Sequence, residues 1–335
     1  MSLRATHRTP MKLSLLKAAT AVAAIACVAL QAVAQDAYPS KPVRLVIPQS
    51  AGGASDVLGR LYADYLAKAL NQTVVVDNKP GANGVLASSF VAKQPADGYT
   101  IMIAGISYLA FNPLTYKALP YNPEKDFDGV ALLTNTPFLL LSNPATNIKT
   151  LADLQKAAKA NPGALNFASA GKGNSTHLIM EMLAQRLDVK LTHVPYNGTA
   201  PGMTSVIGGQ TQLMADVLAT GAVQARAGKV QPIAVVGSRR AAALPDVPTI
   251  AELGIKDFPL PGWYAVVAPA GTPRAVLERL NAETQRFLED PQARARLDAL
   301  ALEPLPSKPE TVKEWMRRDA KAWSPLLQQL GISND

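Results

Sequence analysis

Cysteine is almost missing from this chain: one residue, Cys27, in 335. It falls in an N-terminal segment with the marks of a leader. The remainder therefore has no disulfide framework, no C-x-x-C redox or zinc motif and no thiol nucleophile. Histidine is nearly as scarce, with His7, His177 and His193 only, and no H-E-x-x-H occurs, so the expectation is no metal site and no cofactor. Aromatic residues make up 6% of the chain, and no Lys/Arg stripe is interleaved with them, which argues against nucleic acid. A G-x-x-x-x-G-K-[ST] loop, a third glycine for a dinucleotide fingerprint and a G-x-S-x-G elbow are all missing, although Gly171-Lys172-Gly173-Asn174-Ser175-Thr176 has a phosphate-loop look.

Long hydrophobic runs are also few. The first 34 residues carry Arg4, Arg8, Lys12 and Lys17 and no acid, then an Ala-rich apolar stretch, then Ala32-Val33-Ala34 before Gln35. That order is a secretory signal peptide. The uncharged stretch after Lys17 is interrupted by Gln31 and barely reaches the roughly 20 residues of a membrane span. A lipoprotein reading through Cys27 has Ala24 and Ile25 where Leu would be the stronger cue. Removing four bases and no acids takes the net charge from +8 to +4, so the exported protein is only mildly basic. About 300 residues without disulfides must rest on a hydrophobic core, most naturally in two lobes.

What is present is an alternation of short β-rich runs and helical patterns, the signature of an α/β protein. Strands are expected at Val43–Ile47, Thr73–Val76, Thr100–Ala104, Phe138–Ser142, Leu165–Ala168, Leu191–Val194, Thr211–Asp216, Pro232–Val236 and Trp263–Ala268. After the first, a small, Gly-rich and nearly uncharged loop, Pro48 to Asp56, leads into a helix with Leu58, Leu61, Tyr62, Tyr65 and Leu66 on one face. Ser55 or Asp56 is expected to cap it. Thr150 with Asp153 starts another helix that Asn161-Pro162-Gly163 stops. Thr272-Pro273 and Ser307 with Glu310 are expected to start two more. Trp315 and Trp323 are expected to pack a lobe.

The strand–glycine loop–helix device recurs at Leu165–Ala168, Ser169–Thr176 and His177–Leu183. A helix start exposes unpaired N–H groups and the positive end of its dipole, and glycines let a ligand approach them. Such a loop is either a site for a small anion or merely a tight turn. Two of them in one chain favour a ligand cleft between lobes. A hydrolase built from Ser175, His177 and Asp216 is conceivable, since triads are spatial, but no spacing supports it. His177, in a first helical turn, is expected to donate to the loop.

The chain resembles the TctC/Bug family of extracytoplasmic solute receptors, which serve tripartite tricarboxylate transporters. The resemblance spans residues 38–335 and rests on "YPSKPVRLVIP" with "AGGASD", "VVVDNKPGANGVLAS", "PADGYTIMIAG", "NPATNIKTLADL", "NFASAGKGNSTHL", "THVPYNGTAPGM", "GGQTQLMAD", "LPDVPTIAELG" and "WYAVVAPAGTP", in that order. It implies a periplasmic binding protein fold of type II-like form, two α/β lobes joined by crossing strands around a cleft. Residues 35–138 plus 263–335 would form lobe I and 139–262 lobe II, after a signal peptide at 1–34. It implies no catalytic residue and no cofactor. The ligand would be a small organic acid, the partners the permease subunits of a tripartite tricarboxylate transporter, and the receptor a monomer in the periplasm. A receptor reporting to a sensor kinase is the alternative.

Carried over by residue, Gln49, Ser50, Ala51, Gly52, Gly53, Ala54, Ser55 and Asp56 would form one jaw. Ser169, Ala170, Gly171, Gly173, Asn174 and Ser175, with His177 behind them, would form the other. Ser107, Tyr196, Asn197 and Asp216 would face the cleft. A carboxylate would be gripped largely by backbone N–H groups, small polar side chains and water. Gln49 stands where the family usually has Phe, Ala51 where Pro is common, Asn174 for Ser, Asn197 for Lys and Ala265 for Gly, which implies a more polar pocket than the commonest type.

Overall fold

Two sheets organise the computed structural model, which describes residues 38–258 and 262–334. Residues 1–37, with the expected leader and Cys27, lie outside the described residues. Residues 41–335 form one unit that contains both sheets. The first sheet has the order β11-β4-β10-β3-β1-β2 and the second β7-β6-β8-β5-β9. The strands of the first are β1 Val43–Ile47, β2 Val74–Asn78, β3 Thr100–Gly105, β4 Phe127–Asn135, β10 Trp263–Pro269 and the short β11 Glu303–Pro304. Those of the second are β5 Phe138–Ser142, β6 Asn166–Ser169, β7 Thr192–Pro195, β8 Leu213–Val217 and β9 Gln231–Val236.

Both sheets are built alike. β1 runs parallel to β2 and β3, and β6 runs parallel to β7 and β8. Each parallel core is then met by an antiparallel strand, β10 against β3 and β5 against β8. Parallel strands buried on both faces read as unbroken apolar runs. Leu45, Val46 and Ile47 are all fully buried, each contributing on the order of 1.5–3 kcal/mol. The longer helices are α1 Ala54–Leu70, α2 Val85–Ala92, α3 Leu151–Ala160, α4 Ser175–Leu187, α5 Thr199–Ile207, α6 Leu218–Arg226, α7 Arg274–Glu289, α8 Pro291–Ala299 and α9 Pro309–Gln329. No helix among the described residues is long and apolar enough to cross a membrane.

The chain passes from the first sheet to the second between β4 and β5 and returns between β9 and β10. At the crossing, the Thr136 N–H donates to the Gly262 carbonyl at 3.0 Å. A Cβ on Gly262 would stand 2.0 Å from the Thr136 oxygen, so the two connections approach this closely only because residue 262 is glycine.

All nine expected strands form, within one or two residues at their ends, but β4 and β11 were not expected. β4 is the longest strand of its sheet and almost wholly buried. Gly129 interrupts its apolar pattern because α9 crosses there, with the Pro309 oxygen 2.3 Å from where a Cβ would sit. The pattern therefore answers to tertiary packing rather than to strand propensity.

Three helix starts differ from expectation. The capping box at Thr150 and Asp153 forms. α7, however, begins at Arg274, and the Thr272 hydroxyl donates back to the Pro269 carbonyl. α9 begins at Pro309, and the Ser307 hydroxyl accepts the Leu132 N–H of β4 at 2.8 Å. In both places a hydroxyl found a partner outside the helix. The third start, that of α1, belongs to the site. Trp323 packs on Phe111 and Trp315 stands edge-on to Trp263, both in packing positions.

Candidate functional site

β1 ends in the loop Pro48–Gly53, and α1 starts at once. Gly52 takes a left-handed φ of 80°, which a side chain would resist. The N-cap of α1 is Gly53, with no capping side chain. Ser55 and Asp56 sit inside the first turn instead. The Ser55 hydroxyl donates to Gln49 Oε1 at 3.0 Å. Asp56 turns under the loop, where Oδ2 accepts the Gly52 N–H and Arg60 Nε, and Oδ1 accepts Asn78 Nδ2, each at 2.9 Å. Burial would raise the Asp56 carboxyl, yet the bonds from Arg60, Gly52 and Asn78 together hold it below the usual range. It stays ionised and pins the loop.

The second loop, after β6, is built differently. Its N-cap, Asn174, accepts the Thr176 N–H on its own side-chain oxygen. Its backbone N–H groups are turned inward: Ala170 to the Thr176 hydroxyl, Gly171 to the Ser169 hydroxyl, Gly173 to His177 Nδ1 and Asn174 to the Gly171 carbonyl. His177 therefore accepts from the loop, the reverse of the expected direction, because its ring folds back under the preceding turn. That ring stacks on His193 with centroids 3.8 Å apart, and His193 Nε2 is 2.6 Å from the Ser169 hydroxyl. Burial, then the neighbouring His177 and Lys172, push His193 down to about 3. At neutral pH this is an uncharged imidazole prop.

The two loops meet. Ser50 donates from its hydroxyl (2.7 Å) and its N–H (3.3 Å) to the Asn197 carbonyl. The Ala54 N–H, first of α1, donates to the Thr199 hydroxyl of the other sheet's half at 3.2 Å. The Ser175 N–H, first of α4, donates to the Ser107 hydroxyl of the first half at 3.1 Å, and the two serine hydroxyls are 3.0 Å apart. Each helix mouth is thus capped by a hydroxyl from the opposite half. Alongside, Asn174 Nδ2 donates to Asn83 Oδ1, Asn83 Nδ2 to Asn112 Oδ1, and Asn112 Nδ2 to the Tyr121 hydroxyl, which donates to the Tyr108 carbonyl.

Between them lies a small cavity of about 30 Å³, walled by Gln49, Ser107, Tyr108, Thr136, Asn174, Ser175, Thr199 and Tyr264 among others, with no charged side chain. That is room for about one water. A wider opening of about 440 Å³ adjoins it at Thr199, with Gly52 and Val57 on one side and Met203, Asp216 and Thr220 on the other. Burial pushes the Tyr108 and Tyr264 hydroxyls up, so both stay protonated donors.

Among the expected residues, Gln49, Ser107, Asn174 and Ser175 line the small cavity, and Gly52 and Asp216 the opening beside it. The Tyr196 hydroxyl instead donates to Ser205 of its own lobe at 2.6 Å. Ser175, His177 and Asp216 are bonded to Ser107, Gly173 and Thr220 respectively, so the three do not form a triad. Thr199, Asn83 and Tyr264 were missed. Thr199 had a readable signal, a hydroxyl after a glycine at a helix start. Asn83 had one too, since Asn tolerates its left-handed φ of 48° better than most residues. Among the described residues, no cluster of His, Cys, Asp or Glu is placed to hold a metal.

Two α/β halves meeting at reciprocally capped helix mouths match the two-lobed architecture of periplasmic binding proteins. The family model for the tripartite tricarboxylate transporter family receptor, TctC, matches residues 58–332, and the chain belongs to that family. It is 33% identical to the periplasmic binding protein BugD, with a TM-score of 0.85 over 89% of this chain and 100% of that one. Against Rpa4515 of R. palustris, solved with adipate, the figures are 32%, 0.86, 88% and 99%. Against MatC (Rpa3494) from Rhodopseudomonas palustris, solved with bound malate, they are 32%, 0.80, 87% and 100%.

Proposed function

We propose that this protein is exported to the periplasm by its leader, captures a small carboxylate between its lobes and delivers it to the permease subunits of a tripartite tricarboxylate transporter. The observation that carries the reading is the pair of helix mouths facing each other across the cleft, each now held by the other lobe's hydroxyl. An anion is a better partner for a helix start than a neutral oxygen. On binding, a carboxylate takes the Ala54 and Ser175 N–H groups, and the Thr199, Ser107 and Ser50 hydroxyls turn to donate to it. The cavity of about 30 Å³ is too small for such a ligand, so the lobes part to admit it and close again with the ligand bridging them.

No lysine or arginine lines the small cavity, so the grip is made of neutral donors. Charge-assisted bonds of about 1.5–3 kcal/mol each need to number only a handful to reach the roughly −8 kcal/mol of a micromolar complex after the cost of association. The test is thermal unfolding of the exported, processed protein, stripped of co-purified ligand, against millimolar organic acids and their amides. A ligand at 100 times its Kd stabilises by about 2.7 kcal/mol. A rise in midpoint with an acid and not with its amide is the expected result. No rise with any acid removes the reading.

A further inference from the structure

The wall between the helix mouths and the adjoining opening contains one group that the carboxylate grip leaves unused. Asp216, at the end of β8, is 0% exposed. Its Oδ2 accepts the Thr220 hydroxyl at 2.7 Å, whereas its Oδ1 is buried without a hydrogen-bond partner. No cation pairs with it among the described residues. Of the side chains lining the opening, Lys229 is the other titratable one, exposed at the rim, and the Tyr264 phenol of β10 lies within the field of the carboxylate. Burial pushes the Asp216 carboxyl up to about 7, against the lowering effect of the Thr220 hydroxyl and the nearby Val217 N–H. A buried acceptor of this kind is costly to leave unmet.

Its position gives the unmet oxygen a use. Asp216 shares the opening with Thr199 and Gly52, and Thr199 also walls the cavity at the helix mouths. Asp216 is thus the one carboxylate on the wall of the space that adjoins the helix-mouth donors. We propose that Asp216 is the specificity-determining acceptor of this site. It takes a hydrogen bond from a donor carried on the ligand's own carbon chain, a hydroxyl or an ammonium, and so selects substituted acids over unsubstituted ones. The inference rests on the receptor reading above and narrows it.

The experiment is titration calorimetry on the exported, processed wild type and on Asp216→Asn. The ligands are matched sets of three to six carbons, each with a plain acid, its 2-hydroxy and its 2-amino form. In wild type, a hydroxy or amino acid should bind roughly 10- to 100-fold tighter than its plain counterpart. Asp216→Asn should remove most of that ratio and leave the plain acid within about threefold. A larger loss for the amino form would identify the donor as ammonium, and equal losses as hydroxyl. A wild type that prefers the plain acid, or a variant that loses plain and substituted acids alike, overturns the role of Asp216 and leaves the receptor intact. Binding of none of the set overturns the receptor reading, and this inference with it.

A second measurement needs no ligand. The raised carboxyl destabilises the fold as pH climbs from about 4 to about 7, because the unfolded chain releases the proton first. Asp216→Asn should therefore melt above wild type at pH 8 and together with it below pH 4. Coincident melts at both pH values would show that the carboxylate is partnered after all.

Discussion

The two glycine loops look like copies in the sequence, yet they are held in opposite ways. The loop before α4 is braced from within: Asn174 caps the helix, one imidazole and two hydroxyls absorb its N–H groups, and His193 props the Ser169 hydroxyl. The loop before α1 has glycine at its cap and borrows the Thr199 hydroxyl from the other lobe. Each jaw takes one hydroxyl from the other lobe, Thr199 on the Ala54 N–H and Ser107 on the Ser175 N–H, but only the α4 jaw also has a side-chain cap of its own. A receptor gains from that asymmetry, because the internally braced jaw presents a fixed surface while the jaw without its own cap depends more on the contact made at closure.

The most damaging way to break this arrangement is at Gly53. A Cβ there would lie 2.9 Å from the Thr199 hydroxyl. Gly53→Asp adds both that clash and a negative charge where an anion should sit. Affinity for the ligand found by thermal shift should fall at least roughly 100-fold while the ligand-free protein still melts cooperatively. Retained affinity would mean that the first loop is not a jaw.

The asymmetry itself is sharpened by a pair of smaller changes. Thr199→Ala should weaken binding by roughly 10-fold, the worth of one hydrogen bond to a charged or desolvated group, and hardly move the ligand-free melting point. Asn174→Ala should do the converse for stability, costing about 1 kcal/mol as a lost cap and about 2 °C in Tm. If both variants lose stability alike and binding alike, the jaws are equivalent.

A last effect is set by pH. His193 holds no proton in the folded protein until about pH 3, whereas an unfolded chain takes one near its ordinary value of about 6.5. Below that value the unfolded state binds more protons, so stability drops as pH falls from about 6.5 toward 3. His193→Gln should flatten part of this slope in melts between pH 7.5 and 4. An unchanged slope would place the acid sensitivity elsewhere.

Much of the architecture was legible beforehand. The apolar runs that became β1, β3, β5 and β8 are buried on both faces, and burial leaves a composition that needs no structure to read. The loops were legible because only glycine takes a φ such as 80° at Gly52 or 78° at Gly173 without strain. β4 was not, since Gly129 answers to a helix 180 residues away in sequence. The direction of the His177 bond was hidden as well, because an imidazole either donates or accepts and only the ring's fold under Gly173 decides which.

Local chemistry determined that this chain alternates strands and helices and that two helix mouths open from glycine loops. Those facts follow from steric limits and residue inventory, which a sequence carries in full. Tertiary structure alone decided that Thr199 and Ser107 cap each other's lobes, that Asp56 is consumed beneath its loop and that Asp216 keeps an oxygen unmet. Hydrogen-bond satisfaction depends on what lies within about 3 Å, and residues 68 or 145 apart become neighbours only when the two lobes fold and meet.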